Sequence, residues 1–180
     1  MVAFTKFLWL ALTATAATAA AIVQRDVVTV QNDIAQKISP TWATLHTDIN
    51  AFPDSGVSGA VTIRLDFTNA IAALNATTAD IKNTVSFGVV SGTAILADVQ
   101  QLVPTFVAAI VKLGTQVSSW IAIPDGKALI LSQLRSADAA VIGFLDAVIA
   151  AEPQLLKAGG LAIKAQMTAT FTTAIAAYSV

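Results

Sequence analysis

The chain contains no cysteine and carries little charge. Among its 180 residues there is no Cys and one His, 12% are charged, and 56% are hydrophobic. Without cysteine there is no disulfide framework, no thiol chemistry and no thiolate metal site. Small secreted domains usually depend on disulfides. A domain of about 160 residues needs none if its helices enclose a large core.

The few charges are balanced and scattered. The sequence has ten Lys and Arg residues and eleven Asp and Glu residues, and no basic cluster is present. This distribution argues against nucleic acid as a partner. Electrostatic steering should also be weak, so we expect apolar contact to dominate binding.

The residues that catalysis requires are missing or isolated. His46 has no neighbours at metal-ligand spacing, so we expect it on the surface. Four aspartates are expected on solvent faces as solubilising charges: Asp26, Asp33, Asp138 and Asp146. The sequence has no nucleophile elbow, phosphate-binding glycine loop or paired-histidine zinc motif. We therefore predict no catalytic residue, no metal and no cofactor. An ester hydrolase, the enzymatic alternative, would have to depend on His46.

The first twenty residues have the pattern of a secretory signal peptide. Lys6 precedes the apolar run Phe7–Leu12, and small residues follow, with Ala17-Thr18-Ala19 matching the cleavage pattern. A membrane anchor is the alternative, but the run is short for one. We predict a signal peptide over residues 1–20 and one secreted domain over residues 21–180. No apolar run of about 18 residues follows the leader, so no membrane span is expected.

Apolar residues recur every three or four positions through the rest of the chain, which is the helical period. Turn residues interrupt the pattern at Phe52–Gly59, Ser86–Gly92, Ile123–Lys127 and Glu152–Gln154. The pattern predicts an all-α, single-domain bundle of about five amphipathic helices. Pro40 and Pro104 fall inside helical segments, where each should cause either a kink or a break.

The third segment is apolar on two faces. A main stripe from Ile95 to Leu113 is joined by a second set that includes Leu96, Val103 and Val107. A helix that is apolar nearly all round is expected at the centre of a bundle. That architectural explanation suffices by itself. Most of these side chains are small or β-branched, however, so the bundle should also leave an elongated apolar cavity for an acyl chain. Alternatively, its apolar faces could open onto a hydrophobic surface.

The candidate binding residues come from these stripes. We predict that the following residues line the apolar interior or form the adsorbing face: Phe67, Ile71, Leu74, Ile95, Val99, Leu102, Phe106, Ile110, Phe144, Met167 and Phe171. Asn75-Ala76-Thr77 is the only N-glycosylation sequon, and Asn75 lies off the apolar stripe, where it should be exposed and could carry a glycan.

Several stretches resemble one known family. They include "QRDVVTVQNDIAQKI", "ILADVQQLVPTFVAAIVKL" and "FLDAVIAAEPQLLKAGG". Together they are similar to the hydrophobic surface-binding protein A family of filamentous fungi, also called the cell-wall galactomannoprotein family, over residues 22–180.

The resemblance implies a secreted, non-enzymatic, all-α protein that binds hydrophobic solid surfaces, fatty acids or both. Some members help to recruit polyester-degrading hydrolases, so a secreted hydrolase is an expected partner. The chain ends at "AAYSV" without a Ser/Thr-rich stalk, so it is expected to be extracellular or loosely associated with the cell wall. The rival interpretation is a structural cell-wall mannoprotein or antigen with a filled core and no ligand.

Overall fold

The computed structural model describes residues 27–84 and 86–179, and every regular element in them is helical. The predicted signal peptide and Asp26 lie outside this part of the chain. The helices are α1 (27–51), α2 (Gly56–Asn83), α3 (Val89–Gly114), α4 (Val117–Ile121), α5 (Gly126–Ala151) and α6 (Lys157–Ser179). The predicted all-α bundle is confirmed: five helices are long, and α4 is a single short turn between α3 and α5.

The chain remains helical through both internal prolines. Before Pro40, α1 widens into a π-helical turn over Ile34–Ile38, where the Ser39 N–H donates to the Ile34 carbonyl five residues back. Pro40 has no N–H for the normal ladder, and such turns are a recognised response to a disturbed helix. Pro104 lies within α3, which continues past it.

Short, well-bonded connections position the helices. Asp125 has a left-handed backbone (φ 58°) immediately before α5. Gly126 follows it, and a Cβ at that position would collide with the Trp120 carbonyl. Trp120 is fully buried and stacks on Phe52, with ring centroids 4.2 Å apart. The α4 region is therefore fastened to the end of α1.

The five long helices form a closed ring. Helix α1 packs against α2 and α3, α2 also packs against α5, and α6 joins α5 to α3. Helices α3 and α5 scarcely touch. The buried apolar side chains of all five helices form one core. The interior therefore lies between α3 and α5, where the two facing helices leave space for side chains.

Helix α3 is a member of this ring and is not a central helix, so that prediction is wrong. Its main stripe is buried against α1 and α6. Its second apolar set is only partly covered: Leu96, Val103 and Val107 are half-buried, and Val111 is 54% exposed. A ring of helices leaves each member one outward face, and on α3 that face is mixed: Gln100 and Gln101 are exposed beside the partly exposed apolar residues.

Helix α3 is also long and apolar enough to cross a membrane, judged by length and composition alone. Its most apolar stretch has a mean hydropathy of 1.7. The expectation that no segment after the leader meets this criterion is therefore wrong. The criterion is weak, because the core helix of a soluble protein meets it as well. On α3 the main stripe is buried, and 33% of the most apolar stretch is buried in all.

Candidate apolar ligand site

The candidate site is a small gap between α3, α5 and α6. Its cavity volume is about 10 Å³, roughly the space that one water molecule needs. The lining is entirely apolar: Val99, Leu102, Val103, Phe106, Val141, Phe144, Leu145, Ile163 and Met167. Ligand pockets for drug-sized molecules usually measure about 300–1,000 Å³. The bundle shown here is therefore closed, and an acyl chain could enter only if the helices moved apart.

Five of the predicted binding residues meet at this gap. Val99, Leu102 and Phe106 approach it from α3, Phe144 from α5 and Met167 from α6. They come from three separate stretches of sequence and are brought together by the ring. No other gap or groove described here brings together as many of the predicted binding residues.

The other six predicted residues lie elsewhere. Four are buried in the core away from the gap: Phe67, Leu74, Ile95 and Phe171. Ile71 is only half-buried, because the buried face of α2 is rotated toward Ala70 and Ala73. Ile110 is buried and also lines an outer groove between α3 and α6.

Four residues of the gap were absent from the prediction: Val103, Val141, Leu145 and Ile163. Val141 and Ile163 belong to the apolar stripes of their helices, and Val103 belongs to the second apolar set of α3. The prediction on α5 and α6 favoured the larger Phe and Met side chains, although the smaller β-branched residues also form the wall.

Helix α1 supports the gap from outside. Trp42 is fully buried, and its ring stacks on Phe106 with centroids 4.0 Å apart. Phe106 lines the gap, whereas Trp42 does not. Any movement of α1 away from α3 would therefore remove the support behind Phe106.

Two open grooves lie on the outside of the bundle. One has a volume of about 410 Å³ and runs between the ends of α3 and α6, where small Ala, Thr and Gly residues line it. The other, of about 470 Å³, lies between α2 and α5 and includes Lys82 and Asp146. Both are open to solvent and more polar than the gap, so neither would enclose an apolar chain.

Acidic residues meet across the seam between α1 and α2, which the sequence did not predict. Asp33 was expected on a solvent face, but it is only 3% exposed and forms an ion pair with Lys37 one turn later. A hydrogen bond to Asp33 raises the pKa of Asp80, and burial adds to the effect. The expectation for Asp33 is therefore wrong, because α2 covers this face of α1.

A second acidic pair lies farther along the same seam. Asp66 on α2 is 8% exposed, and burial together with a hydrogen bond to Asp48 on α1 raises its pKa to about 6. Asp138 on α5 is also partly buried, and burial raises its pKa, whereas Asp146 is exposed as expected. The seam therefore contains two carboxyl pairs. Each pair stabilises the packing of α1 against α2 most when one of its two carboxyl groups is protonated.

No cluster suitable for metal binding occurs in residues 27–84 and 86–179: no group of three or more His, Asp or Glu side chains could hold an ion. His46 is partly exposed on α1. Its nearest acidic neighbour in sequence, Asp48, is paired with Asp66. The chemistry of the candidate site is therefore that of apolar contact.

The ring of helices around an all-apolar gap defines a helical bundle suited to apolar ligands. The family model described as hydrophobic surface binding protein A matches residues 27–150. The chain belongs to this family. A comparison with curated proteins gives no match.

Solved structures share the fold. Ligand-binding domain 1 of the Penicillium marneffei MP1 protein, complexed with arachidonic acids, has a TM-score of 0.78 at 16% identity and covers 86% of this chain and 99% of its own. AFMP4P in complex with palmitic acid has a TM-score of 0.72 at 20% identity, covering 89% and 99%. Ligand-binding domain 2 of the MP1 protein, complexed with multiple arachidonic acids, has a TM-score of 0.76 at 17% identity, covering 84% and 96%.

Proposed function

We propose that this chain is a secreted, non-enzymatic protein that takes the acyl chain of a fatty acid into the gap between α3, α5 and α6. The observation that carries the proposal is the lining of the gap, in which all nine residues are apolar. Structures with the same fold are complexed with arachidonic or palmitic acid. Affinity would come from apolar area removed from water, at about 25 cal/mol per Å² before ordering is subtracted.

Opening the gap requires the bundle to widen, and its construction favours this movement. There is no cysteine, so no disulfide ties one helix to another. Helices α3 and α5 face each other across the gap with few direct contacts. An acyl chain between them would gain contact with both helices and would displace little packing between them.

An aspartate placed in the gap tests the proposal. Phe106→Asp puts a charge into the lining, which should abolish oleate uptake, because an unpaired buried charge is strongly unfavourable. Val111→Asp is the matched control: Val111 lies on the same helix but is 54% exposed. Oleate binding is measured by native mass spectrometry, and folding by circular dichroism.

Val103→Phe provides a second test without a charge, because the larger ring fills the gap from its half-buried position. Both gap variants should lose oleate while the control keeps it. A folded Phe106→Asp or Val103→Phe protein that binds oleate as well as the parent would contradict the assignment of this gap.

We also propose that the protein adsorbs to hydrophobic solids through an exposed stripe on α2. Val57, Val61 and Leu65 are four residues apart, so they lie on one face of the helix, and they are 63%, 64% and 59% exposed. Replacing all three with Ser should weaken adsorption to hydrophobic beads and leave oleate binding intact. Equal adsorption of parent and variant would exclude this stripe.

Two further proposals concern the setting of the protein. Asn75 is exposed on α2, which suits a glycan on a secreted chain. Enzymatic deglycosylation should lower the mass of the secreted parent and leave the mass of Asn75→Gln unchanged.

Recruitment of a secreted polyester hydrolase, which the family resemblance implies, should appear as retention of added hydrolase on protein-coated beads. Bare beads serve as the control.

A further inference from the structure

Glu152 is a buried carboxylate without a hydrogen-bond partner. It follows the last residue of α5 and is only 4% exposed. Neither Oε1 nor Oε2 has a partner in the described part of the chain. Burial raises the pKa of Glu152, and the charge of Lys157 opposes that rise. Buried polar groups in folded proteins are almost always paired, so an orphaned carboxylate calls for an explanation.

The carboxylate of Glu152 lies close to one end of the apolar gap. Its Oε2 is 3.1 Å from the point that a Cβ on Gly160 would occupy, so it packs against the backbone of α6. Gly160 precedes Ile163 by three residues, which is about 4.5 Å along a helix. Ile163 lines the gap. Measured on α6, the carboxylate lies beside a residue about one helical turn before the lining, and on α5 Glu152 is seven residues, about 10.5 Å along the helix, after the lining residue Leu145.

Flexible side chains close this end of the bundle. The Leu96 Cδ2 atom lies 2.8 Å from the Cβ position of Gly159, and the Leu156 Cδ1 atom lies 3.0 Å from that of Gly92. In both cases the contacting atom is the end of an aliphatic side chain and not backbone. The Pro153 ring also lies 3.2 Å from the Cβ position of Gly92, so two leucine ends and a proline ring cover the backbone here.

The outer rim of the same end is apolar. Val89 and Val90 begin α3 and are 54% and 85% exposed, and Leu155 in the connection between α5 and α6 is 79% exposed. Leu161, one residue after Gly160 on α6, is 54% exposed. This end of the bundle therefore presents apolar side chains to solvent, with the buried Glu152 carboxylate and the half-buried Lys157 close to them.

We propose that Glu152 binds the head group of the lipid held in the gap and selects lipids whose head donates a hydrogen bond. Protonated fatty acids and fatty alcohols meet this requirement, whereas fatty esters do not. The proposal rests on the proposed lipid function of the gap. A carboxylate accepts hydrogen bonds only, so an O–H donor satisfies it and an ester leaves it unpaired. With a fatty acid, the two carboxyl groups would share one proton, as closely placed carboxyl pairs do.

The test compares two probes that differ only at the head: oleyl alcohol, which has a donor, and methyl oleate, which has none. Each is delivered from cyclodextrin to the parent protein, and the bound lipid is quantified by mass spectrometry. The parent should bind the alcohol at least ten-fold more tightly than the ester, because a hydrogen bond to a charged group supplies that much discrimination.

Two variants identify the group responsible. Glu152→Leu has no polar group, and Glu152→Gln has an amide that donates to the ester carbonyl, so both should reduce the preference to less than three-fold. Asp146→Asn, within α5, removes an exposed carboxylate and should keep the preference for the alcohol. If the parent binds both probes equally, or the Glu152 variants keep its preference, the head-group assignment is overturned while lipid binding stands. Binding of neither probe would overturn the lipid function itself.

Discussion

The carboxyl pairs between α1 and α2 should make the stability of the bundle depend on pH. Burial and the hydrogen bond to Asp48 raise the folded-state pKa of Asp66 from 3.8 to about 6. The folded protein therefore binds more protons than the unfolded chain between these two values. The stabilisation is complete below about pH 4 and is lost as the pH rises through about 6.

The size of this effect follows from the shift in pKa. A rise of about two units, at about 1.4 kcal/mol per unit, corresponds to about 3 kcal/mol between pH 4 and pH 7. For a domain of this size, that loss lowers the melting temperature by roughly 6–12 °C. The raised pKa of Asp80 beside Asp33 adds a contribution of the same sign.

Asp66→Asn isolates the contribution of Asp66. The amide has no charge to bury, so the variant should exceed the parent in stability at pH 7 by up to about 3 kcal/mol and approach it at pH 4. The remaining slope would belong to the Asp33–Asp80 pair. Asp54→Asn, in the exposed turn after α1, is the control and should follow the parent.

The assay is urea unfolding, followed by helical circular dichroism, at several pH values from 4 to 7. The informative quantity is the difference in pH slope between parent and Asp66→Asn. If the two proteins show the same slope, Asp66 does not keep a proton shared with Asp48 at these pH values, and the predicted effect of that pair is refuted.

Two other substitutions should lower stability by predictable amounts. Gln116 donates from Nε2 to two carbonyl groups at the end of α1, at 2.9 and 2.6 Å. Gln116→Leu should therefore lower the free energy of unfolding by about 2 kcal/mol, measured by urea unfolding. Gln101→Leu on the exposed face of α3 should lose almost nothing, and equal losses would refute this role. The buried Tyr178 hydroxyl donates to the Leu113 carbonyl at 2.8 Å. Tyr178→Phe should lose about 1 kcal/mol, and a melting temperature equal to that of the parent would contradict it.

The number and type of the helices could be predicted from the sequence because spacing of three and four residues determines which side of a helix is apolar. On α6, for example, Ile163 and Met167 share a stripe and are both buried. The turn residues also marked the connections, since Pro53, Gly126 and Pro153 all lie between or at the ends of long helices.

The neighbours of each helix could not be predicted in this way. From the sequence, Asp33 is expected to face solvent. In the structure it is buried, because α2 packs against that side of α1. Helix α3 reads as central because it has two apolar faces, yet the ring leaves part of the second face exposed. Helical period specifies which residues share a face but not what covers that face.

The candidate site shows the same limit. Val99 and Phe106 could be chosen from one helix because they share its buried stripe, and they do line the gap. Phe67 and Phe171 have the same size and spacing but lie elsewhere in the core. The difference arises from packing between helices that are distant in sequence.

Native mass spectrometry of the secreted protein, purified without detergent and then extracted with organic solvent, shows whether the bundle holds a lipid. We expect a discrete added mass that is released by extraction and identified as a fatty acid. Protein isolated empty should take up one or more molecules of added oleate, and Phe106→Asp should take up none. An unliganded mass that stays unchanged after oleate is added would contradict the lipid-binding interior and leave adsorption to hydrophobic surfaces as the leading function, ahead of a structural wall protein with a filled core.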